Sequence, residues 1–270
     1  MRIIRVLPLV LLLPCLCFFT SILGQDSTRI VIVPNQKKFI GFKYDFLYFD
    51  ESEKKGWHSA SVENGMVVRK TPIVTRINYA NRFQEVAVQA ELDAYPVITK
   101  KIYAYLNAGY SKNATLFPAF RAGSSVYFTL PKAFEAEAGF RLLRFSTSTW
   151  IYTAAISKYY KRYWISAITY VVPASGNIFQ SYFLKTRYYF TDTDFLEIAA
   201  GTGVSPDDRN NNRLLNGNDK LSSNNVAMLF RRTVSKANVI VLGTGWIRQA
   251  TELKKYSDQY NFSVGYQRIL

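Results

Sequence analysis

Alternation of apolar and polar residues runs through the chain and is clearest between Asn78 and Ser111. From Phe83 to Tyr95 the even positions are Val86, Val88, Ala90, Leu92 and Ala94, and the odd positions are Glu85, Ala87, Gln89, Glu91 and Asp93. A period of two puts each set on its own face of a strand, one apolar and one rich in carboxylates. The next run repeats the pattern, with Ile102, Ala104, Leu106, Ala108 and Tyr110 opposite Tyr103, Tyr105, Asn107 and Ser111. Globular strands usually stop at about 5–6 residues. A strand of about twelve residues spans roughly 40 Å and, tilted by about 45°, crosses the ~30 Å hydrocarbon core of a bilayer.

Similar runs cover Lys38–Asp50, Trp57–Lys70, Pro72–Arg82, Phe120–Leu130, Phe134–Leu143 and Ser148–Lys158. They continue through Tyr163–Pro173, Asn177–Phe190, Asp194–Gly203, Asn224–Thr233, Ala237–Ile247 and Tyr256–Leu270. Both faces of Ser148–Lys158 are apolar, so its sides stay unassigned. The count is about 14 strands, with 12 as the alternative. Either even number suits an up-and-down barrel with both termini at one end. The predicted fold class is therefore all-β, a transmembrane antiparallel up-and-down β-barrel. Odd-numbered connections, such as Lys112–Pro118 and Val204–Ser223, are longer than the even-numbered turns at Pro131-Lys132 and Ser235-Lys236. That asymmetry fits long outer loops and short inner turns. Aromatic residues near run ends suit two interfacial girdles: Tyr48, Tyr110, Phe120, Phe134, Trp164, Tyr182, Phe190 and Tyr260.

The first residues do not follow the alternation. Arg2 and Arg5 precede an apolar stretch from Val6 to Leu23, and Gly24 offers a small residue before Gln25. This reads as a signal peptide over 1–24, followed by a leader over 25–37 and a barrel over 38–270. Both cysteines, Cys15 and Cys17, fall within the signal, so the exported chain relies on backbone pairing and not on disulfides. Mean hydropathy of −0.05 hides no spanning helix beyond residue 24, but alternating strands average hydropathy out.

Charge changes the picture of the surroundings. Removing Arg2 and Arg5 with the signal lowers the formal net charge from +15 to +13. A basic exported protein calls for anionic neighbours: outer-membrane lipid and lipopolysaccharide, or an anionic polysaccharide. Lys and Arg are scattered, with no compact basic run, which argues against nucleic acid.

Several blocks stand in an order that resembles the YaiO family of outer-membrane β-barrel proteins: INYANRF (77–83), AELDAYP (90–96), YAYLNAGYS (103–111), FPAFRAG (117–123), GFRLLRFS (139–146), RYYF (187–190) and GTGVSPDD (201–208). The resemblance runs from about Trp57 to the C-terminus. It implies an outer-membrane barrel of a Gram-negative bacterium, sometimes encoded near surface-polysaccharide genes, with no defined substrate or catalytic set. One departure is the ending Ile269-Leu270, which lacks the terminal aromatic common in such chains.

If the barrel closes, the polar faces meet in the lumen. Glu85, Glu91, Asp93, Arg121, Glu135, Glu137, Arg141, Lys185, Arg187 and Glu197 are the candidate lumen-lining residues. Buried charges need partners, so these residues predict an ion-pair network filling the interior, or else a lined path for a solute. The arginine and lysine excess predicts a bias toward anions or acidic sugars, and Gly109, Gly123 and Gly139 predict gaps in the filling. The function expected is non-enzymatic, structural or transport-associated, with no cofactor. Two alternatives compete: an outer-membrane enzyme on the barrel scaffold, and a soluble exported lipid carrier. An enzyme would need convergent groups, yet the one histidine, His58, points away from its neighbour Ser59 on a strand. Glu135 and Glu137 share a face with no cleft indicated. Ser205–Asn212 with Asn216, Asn218 and Asp219 offers oxygen ligands for calcium, but this composition is also ordinary for turns.

Overall fold

The computed structural model describes residues 38–50, 56–82, 84–112, 114–174, 177–205, 223–250 and 256–270. The expected signal and leader, and nearly all of the oxygen-rich segment 205–219, lie outside these residues.

Fourteen antiparallel strands close into a barrel in sequence order, with β1 completing the ring against β14. They are β1 Lys38–Phe49, β2 Trp57–Val68, β3 Thr71–Arg82, β4 Glu85–Ala94, β5 Ile102–Ser111, β6 Phe120–Leu130 and β7 Phe134–Arg144, followed by β8 Ser148–Tyr160, β9 Tyr163–Ala174, β10 Asn177–Tyr189, β11 Phe195–Thr202, β12 Ser223–Ser235, β13 Asn238–Ala250 and β14 Tyr256–Ile269. Closure leaves no edge strand, which is the condition for crossing hydrocarbon with β structure.

The outer face is apolar. Ile40, Phe42, Val88, Leu92, Leu106, Phe128, Leu184, Phe262 and Val264 are all exposed there, and Ile102 and Val126 are half-buried on the same side. The charged residues point inward and are buried, including Arg76, Glu91, Asp93, Arg121 and Arg141. A soluble carrier would turn these faces the other way. Ser148–Lys158 now has sides: Ile151, Thr153 and Ser157 are buried inward, and Trp150, Tyr152 and Ile156 are exposed.

The two ends differ. The start of β1, the end of β14 and the connections after even-numbered strands form the near end, where residues 69–70, 161–162 and 236–237 are two-residue turns. The near connection 95–101 is longer than expected and adds an isolated bridge, Val97 to Tyr103. At the far end, connection 203–222 is the longest, although 83–84 and 175–176 are short. Nearly every near turn carries exposed cations: Arg69-Lys70, Lys100-Lys101, Lys132, Lys161-Arg162 and Lys236. Lys38, Arg232 and Arg268 join them at the strand ends.

Candidate functional site in the barrel lumen

Register assembles the site. Pairing aligns Gly41, Glu63, Arg76, Glu91, Gly109 and Arg121 on one rung across β1 to β6. Arg76 is the hub, with its guanidinium 3.3 Å from Glu63, 3.1 Å from Glu91 and 3.2 Å from Asp93. Arg121 reaches across β5 to Glu91 at 3.2 Å and donates from Nε to Asn107 Oδ1 at 3.0 Å. Asn107 and Tyr105 both donate to Asp93, at 2.6 and 3.1 Å. Each charge thus meets opposite charge or a dipole, as burial requires.

Long side chains lie flat on the wall because the strand beneath carries glycine. A Cβ at Gly109 would sit 2.8 Å from Arg121 Cγ, at Gly123 2.4 Å from Arg141 Cδ, and at Gly41 2.7 Å from Glu63 Cγ. Gly109 and Gly123 therefore lie beneath arginine stems and leave no open gaps. Gly139 is likewise filled, since a Cβ there would meet Ser125 Oγ at 2.2 Å. Arg141 covers Gly123, stacks over the Tyr105 ring at 4.9 Å and donates to Ser125 Oγ at 3.0 Å.

Nearer the termini, Tyr103 and Tyr127 stack with centroids 4.5 Å apart. Tyr103 donates to Glu135 at 2.9 Å and Tyr127 to Glu137 at 2.6 Å. Across the lumen Arg187 pairs with Glu197 and lies over Phe195 at 4.2 Å and Trp164 at 5.0 Å. Trp164 is therefore an inward, buried residue and not part of an interfacial girdle. Of the other expected lumen residues, Lys185 is half-buried on the inner face, and Glu85 is exposed at the far rim, outside the network.

The remaining inner wall is apolar. Leu143, Phe145, Ile151, Ile168, Tyr170 and Val172 form one cluster; Phe195, Ala199, Ala227, Leu229, Val239 and Val241 form another. Within the expected outer loop Lys112–Pro118, Leu116 and Phe117 turn into the far mouth, where they are buried with Ala80 and Ala87. Among the described residues these three clusters are all buried.

One sector is different. The inward column of β14 is Ser257, Gln259, Asn261, Ser263, Gly265 and Gln267. Gln259 donates to Gln249 at 2.8 Å and Gln267 to Glu63 at 2.7 Å. Ser257 Oγ, Gln259 Oε1, Asn261 Oδ1 and Ser263 Oγ are buried with no protein partner, as is Asn78 Nδ2 nearby. Further along the same strand, a small recess of about 30 Å³ is lined by Phe42, Lys43, Ser61, Glu63, Arg76, Asn78, Val241, Gly265, Tyr266 and Gln267.

Inward charge balances. Among the described residues Lys43, Arg76, Arg82, Arg121, Arg141, Lys185, Arg187 and Arg231 are matched in number by Asp45, Glu63, Glu91, Asp93, Glu135, Glu137, Asp194 and Glu197. Sequence reasoning passed over Glu63 and the hub Arg76. The signal was present, since Val74, Arg76, Asn78, Ala80 and Arg82 alternate with Ile73, Thr75, Ile77 and Tyr79. His58 lies on the outer face, its Nδ1 2.6 Å from Tyr44 Oη, while Ser59 is buried inside. Among the described residues no cluster of three or more metal-ligating side chains occurs.

Comparison with known proteins agrees with this architecture. Among solved structures, the outer membrane protein Omp33 of Acinetobacter baumannii superposes with a TM-score of 0.52 at 10% identity, covering 87% of this chain and 99% of Omp33. The CymD monoaromatic hydrocarbon channel superposes with a TM-score of 0.57 at 8% identity, covering 87% of this chain and 89% of the channel. At such identities the likeness is one of fold. No curated protein matches the sequence. The family model described as the YaiO membrane beta barrel domain matches residues 37–208, from the start of β1 past the end of β11. With well over half its length matched and its strands closed into a lipid-facing barrel, the chain belongs to the YaiO membrane beta barrel family and is an outer-membrane protein.

Proposed function

We propose that this barrel is non-enzymatic and has a transport-associated role in the envelope, holding a small uncharged polar solute along the inner face of β14. The observation that carries the reading is the column of buried atoms without a protein partner on Ser257, Gln259, Asn261 and Ser263, which runs along β14 toward the recess at Gly265. A buried polar atom without a partner costs about 1–3 kcal/mol. A guest that supplies hydrogen bonds recovers that cost. Two of the atoms are amide oxygens and need donors, which a carboxylate or phosphate lacks. A hydroxyl both donates and accepts, so it serves an amide in either orientation. Hydroxyl-rich solutes such as short sugars fit best, and the association with surface polysaccharide belongs to the same proposal. The balanced lumen charge gives an anionic sugar no advantage there. The non-enzymatic reading is supported by the engagement of Glu91, Asp93, Glu135, Glu137 and Glu197 with structural partners. It is supported also by the position of His58 on the lipid side.

Single-channel recording in planar bilayers tests the reading. Fourteen strands lie between barrels of about 8 strands, which side chains fill, and those of 16–18, which hold a water channel. The expected wild-type conductance is small. Gly265→Trp abolishes it, and joint replacement of Arg121 and Arg141 by Ala raises it. Porin-sized wild-type conductance refutes the filled lumen, and indifference to Gly265→Trp refutes the β14 path.

A further inference from the structure

The excess positive charge is not in the lumen, so another part of the molecule must answer for it. Among the described residues it stands at the near end. Every near turn except 190–194 carries Lys or Arg, and Asp192 is the one exposed carboxylate among those turns. At the far end the described exposed charges are mixed: Asp50 and Glu85 alongside Lys112, Arg144 and Arg248, the last bound to Asp258 at 2.8 Å. The near cations Arg69, Lys70, Lys100, Lys101, Lys132 and Lys236 have no carboxylate partner among the described residues.

Backbone geometry adds an independent observation. Arg69 and Lys70 both have positive φ (50° and 79°), as do Lys132 (58°), its neighbour Ala133 (59°), Lys161 (52°) and, at the far end, Gln84 (65°). A two-residue hairpin turn with both φ positive is the type that favours Asn-Gly, and side chains other than Gly, Asn and Asp strain that conformation. In the 69–70 turn two cations stand where Asn-Gly suits the backbone better, so local turn geometry does not account for them.

We propose that the near end binds an annulus of anionic phospholipid headgroups in the leaflet it faces, its turn cations contacting lipid phosphate. Three features favour a lipid layer over a soluble acidic protein. The cations recur from turn to turn around the circumference, where one docked protein would cover a single arc. Several of these turns are only two residues long, so they hold the charges immediately beyond the strand ends and do not project them into the compartment. Exposed Tyr160, Tyr163 and Phe190 lie just inside them, at the level where aromatic side chains mark the membrane–water boundary. Short turns and termini lie on the periplasmic side of bacterial barrels, so the leaflet is the inner, phospholipid leaflet of the outer membrane. This inference rests on the membrane placement and is independent of the solute path.

The test is the full-length protein reconstituted in phosphatidylcholine vesicles with spin-labelled phosphatidylglycerol or spin-labelled phosphatidylcholine as probe, with electron spin resonance measuring the immobilised fraction of each. The wild type should prefer phosphatidylglycerol several-fold, and added salt should weaken the preference. The combined variant Arg69→Asn, Lys70→Gly, Lys132→Asn, Lys161→Asn should lose most of it. These replacements suit the turn geometry, so lost preference is not lost folding; heat-dependent gel mobility confirms the fold. Arg248→Gln, at the far end, should change nothing. A wild type with no preference, an unchanged preference in the four-site variant, or an equal loss in Arg248→Gln overturns the proposal. The first of these outcomes would leave the charge to a soluble acidic partner.

Discussion

Strands β2 to β7 and strands β8 to β13 enclose the same lumen with opposite chemistry. The first half presents Glu63, Arg76, Glu91, Asp93, Arg121 and Arg141 in a connected network. The second presents Ile151, Ile168, Tyr170, Phe195, Leu229 and Val239, with Arg187 and Glu197 paired among them. Both halves exclude solvent to a similar degree. Filling a lumen therefore does not require one chemistry, but the two fillings fail differently. An apolar cluster loses a side chain locally and in proportion to volume. An ionic network that loses its hub leaves several buried charges uncompensated at once.

The largest expected difference is at that hub. Arg76→Ala takes the arginine from Glu63 and Asp93 and leaves Glu91 with Arg121, and should cost about 3–5 kcal/mol, read from urea unfolding of vesicle-inserted protein. Adding Glu63→Gln, Glu91→Gln and Asp93→Asn should recover most of the loss. No recovery would mean that Arg76 acts by volume, as an apolar residue does. Next in size is a test of what the halves share. Leu106→Arg on the charged side and Leu184→Arg on the apolar side both place a cation in lipid, and each should lose about 2–4 kcal/mol. A large inequality between them would show that the outer face is not uniform. Gly109→Ala should cost about 1–3 kcal/mol by pressing on the Arg121 stem and lifting it from Glu91. If the arginine is the part displaced, Gly109→Ala and Arg121→Ala will not add in a double-mutant cycle. The smallest effect is expected for Ile151→Val, at about 0.5–1.5 kcal/mol and independent of salt. A salt-dependent loss there would erase the distinction between the halves.

Much of this fold was legible in the sequence because one face of nearly every strand had to meet lipid. Val86, Val88 and Leu92 against Gln89, Glu91 and Asp93 admit a single sidedness. Legibility failed where the inner wall is apolar too. Ser148–Lys158 could not be assigned because Ile151 and Ala155 face inward with the same residue types that the outer face uses. Trp164 was misplaced for the same reason: an aromatic at a strand end suits a girdle and an arginine platform equally. The candidate charges were mostly found, but their partners were not. Which carboxylate meets Arg121 depends on the offsets between neighbouring strands, and no single strand records its neighbour's register. The reach over Gly109 to a strand two places away is visible only after those offsets are known. Leu116 and Phe117 were not legible as inward residues because they stand in a connection, where no alternation assigns a side chain to either face.

Glu63 crosses over Gly41 on β1 to take a hydrogen bond from Gln267 on β14. The two residues are 204 apart in sequence, and they become neighbours only after the last strand has met the first. The same Glu63 also binds the Arg76 hub. A chain inserting as an open sheet therefore holds Glu63 half-satisfied until the seam zips. Closure then completes the network in one step, so assembly has a molecular latch, and the ion-pair lattice of one wall reports whether the cylinder is shut.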